Sequence, residues 1–160
     1  MNIRIILNRE IYQSLKATSY IPIHKRGKLQ VTSKSLLVID DNEDFITLVK
    51  IFLELDTDWK IITAKNGKEG IAKARLEQPD LILLDIAMSD MDGIAVYKML
   101  QSDRSTRSIP TVFLTAMIET EKMVKSQVNT NVEVITKPMS IILLKDRITD
   151  LFNRYLSLRV

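Results

Sequence analysis

Four short apolar runs in this chain each end in a polar group. Leu36-Leu37-Val38-Ile39 runs into Asp40-Asp41, and Leu81-Ile82-Leu83-Leu84 into Asp85. Pro110-Thr111-Val112-Phe113-Leu114 runs into Thr115-Ala116, and Val132-Glu133-Val134-Ile135-Thr136 into Lys137-Pro138. Runs of this length are those of buried strands, and near-continuous apolar strands belong to parallel sheets covered on both faces. In such sheets ligands bind just outside the carboxyl ends of the strands. Residues scattered in sequence can therefore converge on one crevice. Three carboxylates, a hydroxyl and an ammonium gathered there suit a divalent cation and a phosphoryl group.

The segments between the runs supply the helices. Glu43 to Leu55 carries Phe45, Leu48, Val49 and Phe52 at helical spacing, so these form its expected core stripe. Asn42 is its expected N-cap, with Glu43 and Asp44 in the first turn. Trp59–Ala64 reads as a strand, Asn66-Gly67 as a turn, and Lys68–Glu77 as a helix ended by Pro79. Gly93–Ser102 and Glu119–Ser126 read as further helices. Ile141 to Tyr155 closes as a helix with Leu144, Ile148, Leu151 and Tyr155 on one stripe. Five βα units argue a doubly wound parallel sheet.

Composition narrows the function classes. A chain of 160 residues fits one domain with a real core. It has no cysteine, which excludes disulfides, thiolate metal sites and cysteine nucleophiles. No run approaches the roughly 18 apolar residues of a membrane span, and no signal peptide is evident, so a soluble, cytoplasmic protein is expected. The net charge of +3 is unevenly distributed. Residues 1–34 hold seven Lys/Arg against one Glu, while residues 35–160 hold sixteen Lys/Arg against nineteen Asp/Glu. The folded part thus lacks the basic balance of a nucleic-acid footprint, and no direct DNA binding is expected. Residues 1–33 read as a basic, disordered extension, whose use would be an acidic partner or membrane surface. A second reading starts translation at Val31, from a GTG codon, and leaves the extension untranslated. The lone His24 lies in this extension and reads as a surface histidine.

The strand ends imply particular chemistry. Adjacent Asp40 and Asp41 raise each other's pKa unless a cation neutralises them. An oxygen-only set of this kind suits Mg²⁺. Taken alone, Asp40-Asp41-Asn42 would merely begin a helix. Asp85 alters that balance, because a charged residue ending an all-apolar strand is costly without partners or water. Its carboxylate is the candidate nucleophile, able to attack phosphorus and form an aspartyl-phosphate. Thr115 and Lys137 would supply a donor and a positive charge to the phosphoryl oxygens. Singly, Thr115 reads as a helix cap and Lys137 as a solvated lysine; their joint placement at strand ends carries the argument.

On these motifs the chain resembles the receiver domain of two-component response regulators, from residue 35 to about 156. The matching residues are Asp40-Asp41, Leu83-Leu84-Asp85 with Asp90-Met91-Asp92-Gly93, Leu114-Thr115-Ala116 and Thr136-Lys137-Pro138. The resemblance implies a flavodoxin-like sheet of five parallel strands in the order 2-1-3-4-5 with five helices, over a receiver domain at residues 34–157. It implies that Asp85 accepts a phosphoryl group from a histidine kinase or histidine phosphotransfer protein. Asp41, Asp85 and the Ala87 backbone carbonyl would ligate Mg²⁺, with Asp40 acting mainly through water. Thr115 and Lys137 would bind the phosphoryl oxygens. Only 22 residues follow Pro138, so a stand-alone receiver is expected, acting on an unknown downstream protein or passing phosphate onward.

Three positions depart from the family pattern. Val134 stands where an aromatic usually sits, three residues before the lysine, and its stiff side chain has no ring to swing. Signalling is then expected to rely on Thr115 and loop movement. Ser89 stands where proline is common, which should loosen the loop. Asn131 follows Thr130 where alanine follows glycine. Ala87 and Met117 flank the site without side-chain groups able to hold an attacking water, so slow self-dephosphorylation is expected. The first helix also carries Ile46, Ile51, Leu53 and Leu55, more apolar surface than one face needs. In this family that helix docks histidine-bearing helices. Two rivals remain: an aspartate-nucleophile phosphohydrolase, which would carry a D-x-D pattern after the first strand, and a receiver-like interaction module that takes no phosphate. A dinucleotide-binding fold is disfavoured because no G-x-G-x-x-G follows the first strand.

Overall fold

The sheet is built from strands whose side chains alternate between two apolar layers. In the computed structural model, which describes residues 33–116, 124, 126–128, 132–137 and 140–156, the order is β1 (Ser35–Ile39), α1 (Glu43–Asp56), β2 (Lys60–Ala64), α2 (Gly67–Glu77), β3 (Leu81–Asp85), α3 (Gly93–Ser102), β4 (Thr111–Thr115), β5 (Glu133–Thr136) and α4 (Ile141–Leu156). The five strands are all parallel, in the order β2-β1-β3-β4-β5. This is the doubly wound, flavodoxin-like arrangement expected from the sequence. Of the expected helix Glu119–Ser126, only Val124 and Ser126 are described, both helical; the rest lies outside the described residues. Four helices are therefore described in full.

Alternation along each strand explains the two layers. Leu37, Ile39, Ile82, Leu84 and Phe113 face one side and pack against Ile71 and Ala74 of α2 and Ile94, Tyr97 and Leu100 of α3. Leu36, Val38, Leu81, Leu83, Val112 and Leu114 face the other and pack against Val49 and Leu53 of α1 and Leu144, Ile148, Leu151 and Phe152 of α4. Truncating a fully buried member such as Leu83 or Phe113 to alanine would cost about 2–5 kcal/mol.

Helix ends follow their local chemistry. Asn42 caps α1 as expected, its Oδ1 accepting the Phe45 N–H at 3.0 Å. Asn66 caps α2 in the same way, accepting from the Glu69 N–H at 2.8 Å, so the expected Asn66-Gly67 turn is in fact a helix start. Helix α2 ends at Glu77, and its C-cap Gln78, the residue before Pro79, takes the left-handed conformation (φ 46°, ψ 59°). Its side-chain amide returns to the Ala74 and Arg75 carbonyls at 3.2 and 3.0 Å, offsetting the cost of that conformation.

The core stripe of α1 differs from the expected one. Ile46, Val49 and Leu53 are its buried residues, Phe45 and Phe52 are half-buried, and Leu48 is 55% exposed. The helix carries two overlapping apolar stripes, and periodicity alone does not say which faces the sheet. In α4, Leu144, Ile148 and Leu151 are buried as expected, joined by Phe152, whose ring meets Trp59 edge-on at 4.8 Å. Helix α1 is tied to α4 by an ion pair between Lys145 and Asp56.

Candidate phosphoryl-acceptor site

The strand order reverses direction at β1, since the chain steps to β2 on one side and to β3 on the other. This is the switch point at which parallel sheets open a crevice. Ile39 pairs with Leu84, Asp85 with Leu114, and Thr115 with Thr136, so the carboxyl ends of four strands lie level. The next residues outward are Asp40 after β1 and Lys137 after β5. The expected site residues therefore meet for a reason of register.

Lys137 is the hub. Its Nζ donates to Asp40 Oδ2 at 2.5 Å and to Asp85 Oδ1 at 2.8 Å. The same ammonium lies 4.3 Å from the centroid of the Phe45 ring. Its backbone N–H donates to the Thr115 carbonyl at 2.6 Å, so strand pairing fixes where the side chain starts. Asp40 and Asp85 are 1% and 6% exposed. Two buried carboxylates share one ammonium here, an arrangement stable only while each charge keeps its partner. Burial pushes the Asp85 carboxyl above its ordinary pKa, and the Lys137 hydrogen bond and charge partly counter this. Thr115 ends β4 and is buried beside this group.

Asp41 differs in kind. It is more exposed, and its Oδ2 accepts the Ser89 backbone N–H at 2.8 Å. That hydrogen bond, together with one from the Ser89 side chain, holds its carboxyl below the ordinary value. A proline at residue 89 would have no N–H to give. The expected looser loop thus gains a tether to the acidic pair that the usual residue could not make.

The loop from Ile86 to Asp92 is held by its other acidic residues. Asp90 accepts the Gly67 N–H at 3.2 Å, joining the loop to the start of α2. Asp92 caps α3 by accepting the Ile94 N–H at 2.7 Å. Gly93 packs directly against Asp85: a Cβ there would lie 2.2 Å from the Asp85 carbonyl oxygen and 2.9 Å from the Ile86 Cα. Asp90 and Asp92 thus fix this loop to α2 and α3, and Gly93 allows the close approach to Asp85. Ala87 is exposed on this loop, two residues beyond Asp85. Met117, Thr130, Asn131 and Pro138, which the sequence singled out, lie outside the described residues, as does the extension up to residue 32.

The donor set fits a hard divalent cation. Carboxylate oxygens of Asp40, Asp41 and Asp85 all lie within 4.8 Å of one another. Oxygen donors alone, with open solvent beside Asp41 for retained waters, match what Mg²⁺ prefers. Sequence reasoning overlooked two residues at the site. The spacing of Phe45 marks it only as core, and nothing in it signals a ring that meets an ammonium. Ser89 was read only as a missing proline, although a gained N–H was the available signal.

The chain matches the family described as the response regulator receiver domain over residues 36–149. It is 37% identical over 109 residues to the alkaline phosphatase synthesis transcriptional regulatory protein PhoP of Bacillus subtilis, a match covering 68% of this chain and 44% of PhoP. It is 36% identical over 83 residues to the polar-differentiation response regulator DivK of Brucella anthropi, covering 52% of this chain and 67% of DivK. The chain thus spans less than half the length of PhoP and about two-thirds of DivK. Among solved structures, the receiver domain of Francisella response regulator 1452 superposes with a TM-score of 0.66 at 27% identity, covering 76% of this chain and 98% of that one. A CheY-like receiver from Methanospirillum hungatei superposes with a TM-score of 0.69 at 22% identity, covering 79% and 98%, a likeness of fold.

Proposed function

The chain belongs to the response regulator receiver domain family, and we propose that it accepts a phosphoryl group on Asp85 from a phosphohistidine of a kinase or phosphotransfer protein. The observation that carries this reading is the shared ammonium: Lys137 joins the buried Asp40 and Asp85 at 2.5 and 2.8 Å, at a strand-end crevice open to solvent beside Asp41. A charged triad of this kind is poorly explained by stability alone, because well-packed apolar residues would serve a buried position at least as well.

In the proposed reaction an Asp85 carboxylate oxygen attacks phosphorus. A P–O bond forms, the P–N bond to the histidine breaks, and the departing imidazole nitrogen takes up a proton. Asp85 must be ionised to attack, and Lys137 opposes the effect of burial that would protonate it. As Asp85 becomes an acyl phosphate it loses its charge, and Lys137 then exchanges that carboxylate for a phosphoryl oxygen. The Thr115 hydroxyl donates to another. Mg²⁺, held by Asp41, Asp85 and the Ala87 carbonyl with Asp40 acting through water, would neutralise charge on the phosphoryl oxygens. The protein is then no enzyme with an outside substrate; it promotes only its own phosphorylation and slow dephosphorylation. It would signal by presenting a changed surface to a downstream protein or by passing the group to another histidine. Among the described residues no helix is long and apolar enough to cross a membrane. The cytoplasmic location expected from the sequence belongs to the same proposal.

Incubation with Mg²⁺ and acetyl phosphate, followed by intact mass, tests the reading. One added phosphoryl group is expected, absent from Asp85→Asn. No addition together with no Mg²⁺ binding would overturn it in favour of a receiver-like module that works without phosphate, a reading that Val134 at the usual aromatic position leaves open. Turnover of a generic phosphate ester would instead support a phosphohydrolase.

A further inference from the structure

We propose that Phe45 is the residue through which this chain senses the state of its acceptor site, serving in place of the ring that Val134 lacks. The inference rests on the reading of Asp85 as phosphoryl acceptor.

Three groups surround the Lys137 ammonium: Asp40, Asp85 and the face of Phe45, whose centroid is 4.3 Å away. A cation over an aromatic face is held by the negative centre of the ring, more strongly where water is partly excluded. Lys137 is in that condition, its side chain 22% exposed. Phe45 is also joined to the acidic pair through the backbone. The Asn42 N–H donates to Asp40 Oδ1 at 2.9 Å, and the Phe45 N–H donates to Asn42 Oδ1 at 3.0 Å. One turn of chain therefore carries both a carboxylate and the ring that meet the same ammonium.

Phosphorylation perturbs this arrangement at one identifiable point. The backbone of Lys137 is fixed to Thr115, so the side chain alone can redirect its charge. When Asp85 is esterified, the ammonium turns to a phosphoryl oxygen and its position over the ring changes. The ring then follows it or loses it. Phe45 is half-buried against the same apolar layer as Ile141, the first residue of α4. A shift of the ring is therefore carried first into the opening turn of α1, the helix that bears it. Val134 packs in the opposite layer, against the α2 and α3 side, and offers the ammonium no face. Phe45 is a positioning residue in this account: it touches Lys137, not the reacting atoms.

The test uses the full chain with lysines carrying ¹³C and backbone amides carrying ¹⁵N, in Mg²⁺ throughout. Lys137 is assigned by Lys137→Arg. The variants are Phe45→Leu, which keeps apolar bulk without an aromatic face, and Phe45→Tyr, which keeps the face. Before phosphorylation, the terminal methylene protons of Lys137 are expected upfield in wild type and Phe45→Tyr but not in Phe45→Leu. After acetyl phosphate, those protons and the amides of residues 43–46 are expected to shift together in wild type. In Phe45→Leu, Asp85 should still gain its phosphoryl group by mass, while the amide shifts fall by at least half. An unchanged amide response in Phe45→Leu, or no ring-current shift in wild type, overturns the inference while leaving the acceptor reading intact. A wild type that gains no phosphoryl group and binds no Mg²⁺ overturns both.

Discussion

Replacing Lys137 with methionine isolates what its charge does, since the two side chains are of similar length. In the folded chain, Asp40 and Asp85 are 1% and 6% exposed and both meet the Lys137 ammonium. Lys137→Met leaves two buried carboxylates facing one another with no cation between them. Removing one partner of a buried ion pair costs about 3–5 kcal/mol, and the solvent reaching the mouth of this site favours the lower figure of about 3 kcal/mol. With a urea slope of about 2 kcal/mol per molar, the midpoint should fall by about 1.5 M. The deficit should also depend on pH in a definite sense. The folded chain holds the Asp85 proton more tightly than the unfolded chain, where the ordinary value is 3.8. Between the two values stability falls as pH rises, because the folded state binds more protons there than the unfolded one. Lys137 opposes this upward shift through its hydrogen bond and its charge, so its loss raises the Asp85 value further. The deficit of Lys137→Met is thus full above the folded value and shrinks as pH falls through it. Urea unfolding of wild type and variant in chelator, in steps from about pH 7.5 down towards the ordinary carboxylate value, reads both effects. Equal stability at the higher pH, or a deficit that grows on acidification, would refute the shared-ammonium account.

Three further outcomes follow from the same geometry. Gly93→Ala forces the Asp85 backbone aside, since its Cβ would lie 2.2 Å from the Asp85 carbonyl oxygen; a loss of about 1–3 kcal/mol in urea unfolding and slower labelling by acetyl phosphate are expected. Ser89→Pro removes the N–H that reaches Asp41 at 2.8 Å, so the Asp41 carboxyl should titrate higher, by NMR, than in wild type, where that hydrogen bond holds it down. Phosphorylated protein should lose its label slowly in the absence of any phosphatase, and Ala87→Asn or Ala87→Glu should hasten the loss; rapid loss from wild type would contradict the reading of Ala87 and Met117.

The fold was legible because its signals are redundant. Leu81–Leu84 and Leu36–Ile39 are apolar on both faces, and only a sheet covered on both sides accepts such strands. Boundaries of the elements described in full fall within a residue or two of those expected, and Gly93–Ser102 matches in full. The misplacement of Leu48 has a physical origin. Helix α1 carries apolar residues at Ile46, Val49 and Leu53 and again at Leu48, Ile51 and Leu55, and hydrophobic spacing is satisfied by either set. Asn66 was misread because an Asn-Gly pair marks a hairpin turn as readily as a capped helix. The convergence of Asp40, Asp85 and Lys137 was legible because parallel register levels the strand ends. What each charge touches was not, because a side-chain partner 97 residues away leaves no local trace.

The two overlooked residues share a feature that bears on how the site is built. Phe45 and Ser89 each supply a contact tied to a departure from the family pattern, at residue 134 for Phe45 and at residue 89 itself for Ser89. Proline at residue 89 would fix the loop by its ring; serine instead fixes it by an N–H to Asp41, and so couples loop and acidic pair electrostatically rather than sterically. An aromatic at residue 134 would put a ring on β5; here the ring beside the site belongs to α1 and meets Lys137 directly. Both substitutions move an interaction from the scaffold to the charged groups themselves. The consequence is a site in which the loop and the first helix each contact a charged group directly, through Ser89 on Asp41 and Phe45 on Lys137. Its sensitivity to salt should therefore be small, since Asp40 and Asp85 are buried and buried pairs are poorly screened.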